Sequence, residues 1–282
     1  VINLTGTKVY DGLNTVPNAS LTVTTGVSGQ SLGLKGAGTL ISASSGNGKT
    51  ISIGTLELDS IGSGSESNYT LSGGNHTFNV TARPLTFSSS RNYDGTTTAN
   101  TSGLTYTFSN LVVGESLILS GSGTVVSKDV SAGTQNITLG TIALGDNTGV
   151  ASNYSLTSGT MDITQAQVNL SGTKVYDSNT TLNNSIVNVA SGLIGSETLG
   201  LTGDVVTNTA NVGTYLASAG QLNVGSTTIA LADGTNGGLA NNYAINEETI
   251  TITQRPVTIS GTKVYDGAQT VSAANITTFN NT

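Results

Sequence analysis

Two short motifs recur along this chain in a fixed order, and the period they set constrains its fold more than any other feature. Tyr-Asp-Gly stands at Tyr10-Asp11-Gly12, Tyr93-Asp94-Gly95 and Tyr265-Asp266-Gly267, with Tyr176-Asp177-Ser178 as a variant copy between the last two. The four tyrosines are 83, 83 and 89 residues apart. Asn-Tyr follows at Asn68-Tyr69, Asn153-Tyr154 and Asn242-Tyr243, with tyrosines 85 and 89 apart. Two independent anchors in one order at nearly one period mark a tandem array.

Other features fall into the same register. Residues 257–264 read Val-Thr-Ile-Ser-Gly-Thr-Lys-Val, and 168–175 and 2–9 are close copies. A basic residue lies two before each first-anchor tyrosine: Lys8, Arg91, Lys174 and Lys263. A Gly-x-x-Leu-x-Leu stretch occupies the middle of the period, as at residues 114–119, and a last alternating run such as Ile250-Thr251-Ile252-Thr253 closes it. The next copy then begins through Ala82-Arg83-Pro84, Gln165-Ala166-Gln167 or Gln254-Arg255-Pro256. These marks divide the chain into modules at 1–83, 84–166 and 167–255 and a partial module at 256–282. The fourth copy stops before its second anchor, which is expected of an array that continues in a longer chain, with any export signal or anchor elsewhere in it.

Within each module, seven or eight short runs alternate apolar residues with Thr or Ser, and turn residues recur every 8–12 positions. Alternation at period two places one set of side chains on one face of a strand. β-Branched Thr and Val dominate, and no 3.6-residue period is sustained. The expected fold is therefore all-β: a tandem array of small antiparallel β-sandwich-like modules. Pro84 and Pro256 at junctions of about three residues imply a semi-rigid rod. A β-helix or other solenoid is the alternative, although its coils are usually much shorter than 83 residues. Seven of the nine tyrosines belong to the anchors, so Tyr10, Tyr69, Tyr93, Tyr154, Tyr176, Tyr243 and Tyr265 are the expected core pillars of modules that hold little Phe and no Trp. Asp11, Asp94, Asp177 and Asp266 suit a turn, where Asp accepts from backbone amides ahead of it and the following Gly takes positive φ. Ser178 puts that left-handed requirement in question at one copy.

The ordered set of Thr-Lys-Val-Tyr-Asp-Gly, Gly114-Glu115-Ser116-Leu117, Ala132-Gly133-Thr134, Ser152-Asn153-Tyr154 and the Arg-Pro junction resembles the YDG and related glycine-rich MBG repeats. Those repeats occur in very large bacterial exoproteins similar to filamentous-haemagglutinin-like adhesins exported by two-partner secretion. The resemblance covers essentially the whole chain. It implies an extracellular or cell-surface location, a stalk role and no catalytic residues.

Composition excludes several classes of partner. The formal net charge is −7 and charged residues are 9% of the chain, so the basic footprint that nucleic acid or an anionic membrane requires is missing. No apolar run approaches a membrane span. There is no cysteine, hence no disulfide and no thiolate metal site. The single histidine, His76, has no second histidine to build a triad or zinc site with, and is expected on a strand surface. Asp59, Asp146 and Asp233 precede the second anchor in Asp/Asn-containing loops. They are weak candidates for calcium, and they offer few carboxylates for a cation that takes six to eight oxygens; the repeated Asp11, Asp94, Asp177 and Asp266 could also meet a cation or sugar, but a turn-capping role is expected of them. No cofactor is expected. Sequons such as Asn68, Asn136, Asn153 and Asn275 arise by chance in a chain so rich in Asn, Ser and Thr. The function expected is a non-enzymatic stalk or fibre whose partners are its own neighbouring modules. The alternatives are an adhesive module that binds polysaccharide or a host surface, and a self-assembling filament subunit.

Overall fold

The computed structural model of the protein describes residues 1–223 and 225–281; Val224, in the third period, and Thr282, which ends the fourth, lie outside the described residues. Among these residues every regular element is a strand or a short 3-10 turn, and no helix is long and apolar enough to cross a membrane. The strands form separate small sheets, not a continuous solenoid, so the β-helix alternative does not apply.

The same sheet recurs three times. In the first period β1 (Asn3–Val9), β2 (Leu21–Thr24), β3 (Gly46–Thr50) and β4 (His76–Thr81) lie in the order β2-β1-β4-β3. In the second, β5 (Arg83–Asn92), β6 (Thr105–Ser109), β7 (Gln135–Asn136) and β8 (Tyr154–Thr164) lie in the order β6-β5-β8-β7. In the third, β9 (Ala166–Val175), β10 (Val187–Ser191), β11 (Gly213–Leu216) and β12 (Tyr243–Thr253) lie in the order β10-β9-β12-β11. The fourth period contributes one antiparallel pair, β13 (Val257–Gly261) with β14 (Ile276–Asn281).

The sheets are mixed, where the sequence suggested antiparallel modules. β1 pairs in parallel with β4, from Leu4 opposite His76 to Val9 opposite Thr81. β9 pairs in parallel with β12, from Ala166 opposite Tyr243 to Val175 opposite Thr253. Alternation reports that one face of a strand is buried; it carries no information about the direction of the neighbour. Parallel sheets are usually covered on both faces. Here the outer positions are mostly Thr, Ser and Asn, and the strands alternate as an antiparallel sheet would. A parallel pair needs a long crossover, and the whole interior of the repeat supplies it.

Each crossover carries two short ribbons. In the first period Thr15–Pro17 pairs with Ala37–Thr39 and Gly33–Lys35 with Glu57–Asp59. Thr98–Asn100 with Ser122–Thr124, and Leu117–Ser120 with Ala143–Asp146, repeat this in the second period; Thr181–Asn183 with Asp204–Val206, and Leu199–Thr202 with Ala230–Asp233, repeat it in the third. The ribbons supply the second layer of the core. Ile2, Leu4, Phe78 and Val80 from the first sheet meet Val16, Leu34, Leu40, Ile51 and Leu56 beneath it. In the third period Leu170, Ile250 and Ile252 meet Leu182, Val205 and Leu222.

By contact the chain divides into two compact units. The first comprises Val1–Arg91, Thr97–Val126 and Thr134–Asp162, and the second Asn92–Thr96, Ser127–Gly133 and Ile163–Thr282. Two short pieces of the second period, one holding Tyr93 and the other Lys128 and Asp129, thus belong with the third.

The Tyr-Asp-Gly turn is built alike in the three copies that carry a lysine two residues before the tyrosine. Lys8 Nζ reaches Asp11 Oδ1 at 2.9 Å and the carbonyls of Leu13 and Thr15 at 2.7 and 2.9 Å, while the Leu13 amide donates to Asp11 at 2.9 Å. Lys174 repeats this with Asp177, Asn179 and Thr181, and Lys263 with Asp266, Ala268 and Thr270. The lysine ammonium is thereby spent on one carboxylate and two main-chain oxygens. Gly12, Gly95 and Gly267 have φ of 79°, 77° and 79°, and Ser178 adopts the same left-handed conformation at 67°. The serine therefore does not relax the requirement; it bears the strain. A non-glycine residue there costs about 1–2 kcal/mol, part of which glycine returns through its freer unfolded chain. Ser178→Gly should raise the stability of the second unit by about 0.5–1 kcal/mol in chemical denaturation, and Gly12→Ala should lower that of the first by a similar or larger amount.

Candidate functional site

The anchor tyrosines do not stand as pairs within one module. Tyr10 and Tyr93 each meet the Asn-Tyr tyrosine of the following period, and in both cases one glutamate accepts from the two phenols. In the first unit Tyr10 Oη donates to Glu115 Oε1 at 2.5 Å and Tyr154 Oη to Glu115 Oε2 at 2.6 Å. The two rings meet edge to face, 5.5 Å between centroids and 78° between planes. The Val112 amide donates to Tyr154 Oη at 3.1 Å, and Arg83 Nη1 to the Tyr10 carbonyl at 3.2 Å. In the second unit Tyr93 Oη and Tyr243 Oη donate to Glu197 Oε1 and Oε2, both at 2.6 Å, and the rings are 5.5 Å and 73° apart. The Ile194 amide takes the place of Val112, at 3.1 Å from Tyr243 Oη. The glutamate sits on a tight turn in each case: Glu115 N–H donates to Val112 O and Glu197 N–H to Ile194 O, at 3.0 and 3.1 Å.

The asparagine of the second anchor adds a further contact across the same boundary. Asn153 Oδ1 accepts from the Ser45 amide at 2.8 Å. Asn242 Oδ1 accepts from the Val130 amide at 2.9 Å, and its Nδ2 donates to Asp129 Oδ1 at 2.9 Å. Asn153 and Asn242 are 2% and 0% exposed. Among the described residues no Tyr-Asp-Gly turn lies against the first copy; there Asn68 is exposed, Tyr69 is half-buried, and Tyr69 Oη donates to Gln30, which stands where the later copies have glutamate. Tyr176 is likewise half-buried and Tyr265 is 92% exposed. The tyrosines are buried where the neighbouring half of the junction is present.

The second junction has one extra member. Lys128 Nζ is 3.0 Å from both Glu197 Oε1 and Tyr93 Oη, and 5.5 Å above the Tyr93 ring. Burial disfavours the Glu197 carboxylate, but hydrogen bonds from Tyr243, Tyr93 and Lys128 outweigh it and hold its pKa below the ordinary glutamate value. Hydrogen bonds to Tyr93 and Glu197 raise the Lys128 ammonium. Burial, followed by the shared carboxylate, pushes Tyr10 up to about 12 and Tyr243 up to about 12. Tyr93 and Tyr154 are raised for the same reasons. These phenols are set to stay protonated and to donate.

The other candidates from the sequence are placed apart. Asp59 pairs with Lys35 at 2.7 Å, while Asp146 and Asp233 accept from the Ala151 and Ala240 amides at 2.7 and 2.8 Å. The last two thus tie down the short turns that lead into β8 and β12. Among the described residues no three acidic or histidine side chains gather as a metal site. His76 is not on the surface as expected. It is buried with Phe78 and Val80, accepts from the Leu4 amide through Nδ1 at 3.3 Å, and lies 2.9 Å from the Leu71 carbonyl through Nε2. Position 76 lies on the inward side of β4, so alternation buries the ring, and its two nitrogens satisfy two main-chain groups.

Glu115 is legible in the sequence only as part of the Gly-Glu-x-Leu motif, without its role, and Glu197, Gln30 and Lys128 do not stand out there at all. A signal existed: Gln30 and Glu115 each lie 39 residues before their Asn-Tyr tyrosine, in a chain with only 16 acidic residues.

The pattern of the YDG domain family matches residues 1–77 and, a second time, residues 79–161. The chain belongs to the YDG domain family. The third and fourth YDG-type copies carry the same turn outside both matched stretches. No curated protein matches the chain.

Removing the carboxylate of one YDG junction leaves two buried phenols without an acceptor. Glu197→Ala should cost about 2–4 kcal/mol and Tyr93→Phe about 1–2 kcal/mol in denaturant unfolding of the second unit. The pH dependence has a definite sign. A phenol whose folded pKa is raised stabilises fully below its unfolded value near 10, and that stability is lost as pH rises to about 12. Thermal midpoints should therefore fall steeply between pH 10 and 12, and less steeply in Tyr10→Phe and Tyr243→Phe than in the parent chain.

Proposed function

We propose that this chain is a length of non-catalytic stalk in a large extracellular bacterial adhesin or matrix protein, in which YDG repeats act as spacers joined through shared side chains. The observation that carries the reading is the carboxylate held in common by tyrosines of successive repeats, once in each compact unit. A catalytic carboxylate needs access to a substrate. Glu115 and Glu197 instead spend both oxygens on phenols of the same chain. The shifted tyrosines, which would otherwise suggest a reactive site, are explained by that contact.

The connections support the same reading. Only Ala82 separates β4 from β5, and only Gln165 separates β8 from β9. The first and last strands of a repeat run parallel, so the chain enters a sheet at one end and leaves at the other. At about 3.3 Å per residue, a strand of nine or ten residues advances the chain by roughly 30 Å. Repetition with little slack suits a spacer, and stability shared between repeats and their neighbours suits a protein that must bear load. The extracellular setting and the link to two-partner secretion rest on the resemblance to exoprotein repeats.

Small-angle scattering tests the stalk. A compact protein of this length would have a radius of gyration near ~19 Å. A stalk should give a value well above that. A monomeric value near that of a compact particle would reject the stalk reading.

A further inference from the structure

The parallel pair at the centre of the sheet is also the route by which tension crosses a repeat. In the first repeat the chain enters at the start of β1 and leaves at the end of β4, with Leu4 to Val9 opposite His76 to Thr81. In the third it enters with β9 and leaves with β12, paired from Ala166 opposite Tyr243 to Val175 opposite Thr253. Pulling the two ends of such a repeat apart drags these strands along each other in opposite senses. Every main-chain bond between them is loaded at once, whereas strands whose pulled ends lie side by side open one bond at a time. The bond that closes the ladder recurs in all three complete repeats: the amides of Tyr10, Tyr93 and Tyr176 donate to the carbonyls of Thr81, Thr164 and Thr253 at 2.9, 2.7 and 2.9 Å.

The side chains oppose sliding. A slip of one residue turns the buried face outward, so the shortest slip that keeps the core is two residues. Phe78 lies opposite Gly6 and Ile250 opposite Gly172, in room that a β-carbon on the glycine would fill. Such a carbon would come within 2.8 Å of the Phe78 ring and 3.1 Å of Ile250 Cδ1. Under tension these side chains move towards the next inward position of the first strand, Lys8 or Lys174. The two lysine side chains are 10% and 7% exposed, and each ammonium is held by an aspartate and two carbonyls. Neither lysine swings aside without breaking its staple.

We propose that the paired first and last strands of the first and third repeats are a mechanical clamp, with the stapled lysine as its stop. The function is to hold tension without lengthening, and its purpose rests on the stalk reading. In the first repeat residues 10–75 lie off the line of force, between the two clamp strands in sequence. One residue separates β4 from β5, so tension passes to the next repeat with little slack.

Force spectroscopy on the full chain separates the two directions of loading. The chain has no cysteine, so handles attach only where thiols are introduced. Asn3→Cys with Thr81→Cys loads the clamp lengthwise; Asn3→Cys with Asn75→Cys, at the neighbouring starts of β1 and β4, unzips it. Forced unfolding reports the barrier, not the equilibrium, so at one loading rate the lengthwise pair should rupture at a force at least about twofold higher, although the two variants unfold alike in denaturant. Lys8→Ala should lower the lengthwise force by a larger fraction than the unzipping force. Equal forces in the two directions would overturn the clamp, and equal fractional losses would overturn the lysine stop. Scattering reports the stalk separately: an extended chain with equal forces removes the clamp and keeps the stalk, and a compact chain with unequal forces does the reverse.

Discussion

A glutamate stripped of most of its water needs hydrogen-bond donors, and in each compact unit the donors come from two different repeats. That requirement organises the YDG junction. Tyr10 and Tyr154, or Tyr93 and Tyr243, each take one oxygen of a single carboxylate, which brings their rings into edge-to-face contact. Such aromatic pairs contribute about 0.5–1.5 kcal/mol beyond the area they bury. Hydrogen bonds to a charged acceptor contribute about 1.5–3 kcal/mol. Both terms depend on the neighbour being in place, and the half-buried Tyr69 and Tyr176 and the exposed Tyr265 show what the same side chains look like otherwise.

The parallel pairing of first and last strands gives that junction its position. The chain leaves β4 beside the end of β1, next to the Tyr-Asp-Gly turn that follows β1, and the Tyr10 amide donates to the Thr81 carbonyl at that point. The next strand starts after one residue. The turn of one repeat and the start of the next are therefore adjacent by construction, and the Lys8–Asp11 staple holds Tyr10 in its pose. The second repeat replaces lysine with Arg91, yet Asp94 still accepts from the Thr96 amide and Tyr93 reaches its glutamate. The tyrosine and the Asp-anchored turn are the common element.

Much of the fold could be read from letters because alternation is a local property. Leu4, Leu170 and Ile250 were inward positions of alternating runs, and they are buried. Strand direction was not readable, since parallel and antiparallel neighbours produce the same one-sided pattern. The tyrosines were visible as anchors, but their partners were not, because each contact spans about one period or half of one: Tyr10 meets Glu115, 105 residues away, and Tyr154 meets it from 39. A search confined to one module misplaces them as pillars of a single core. His76 misled for a different reason. A lone polar residue reads as exposed until the inward register of β4 and the two main-chain groups beside its ring are known. Ser178 misled because composition speaks of preference, and the lysine–aspartate staple imposes the left-handed turn on whichever residue stands there.

The direct measure of coupling through the carboxylate is a double-mutant cycle on the first junction, with Tyr10→Phe, Tyr154→Phe and the pair unfolded in denaturant. The two phenols belong to different repeats and share only Glu115 and the ring contact, which phenylalanine keeps. If the carboxylate joins them, the double variant will differ from the sum of the single losses by about 1 kcal/mol or more. Losses that add within about 0.3 kcal/mol would mean that the phenols act separately and that the glutamate does not link one repeat to the next.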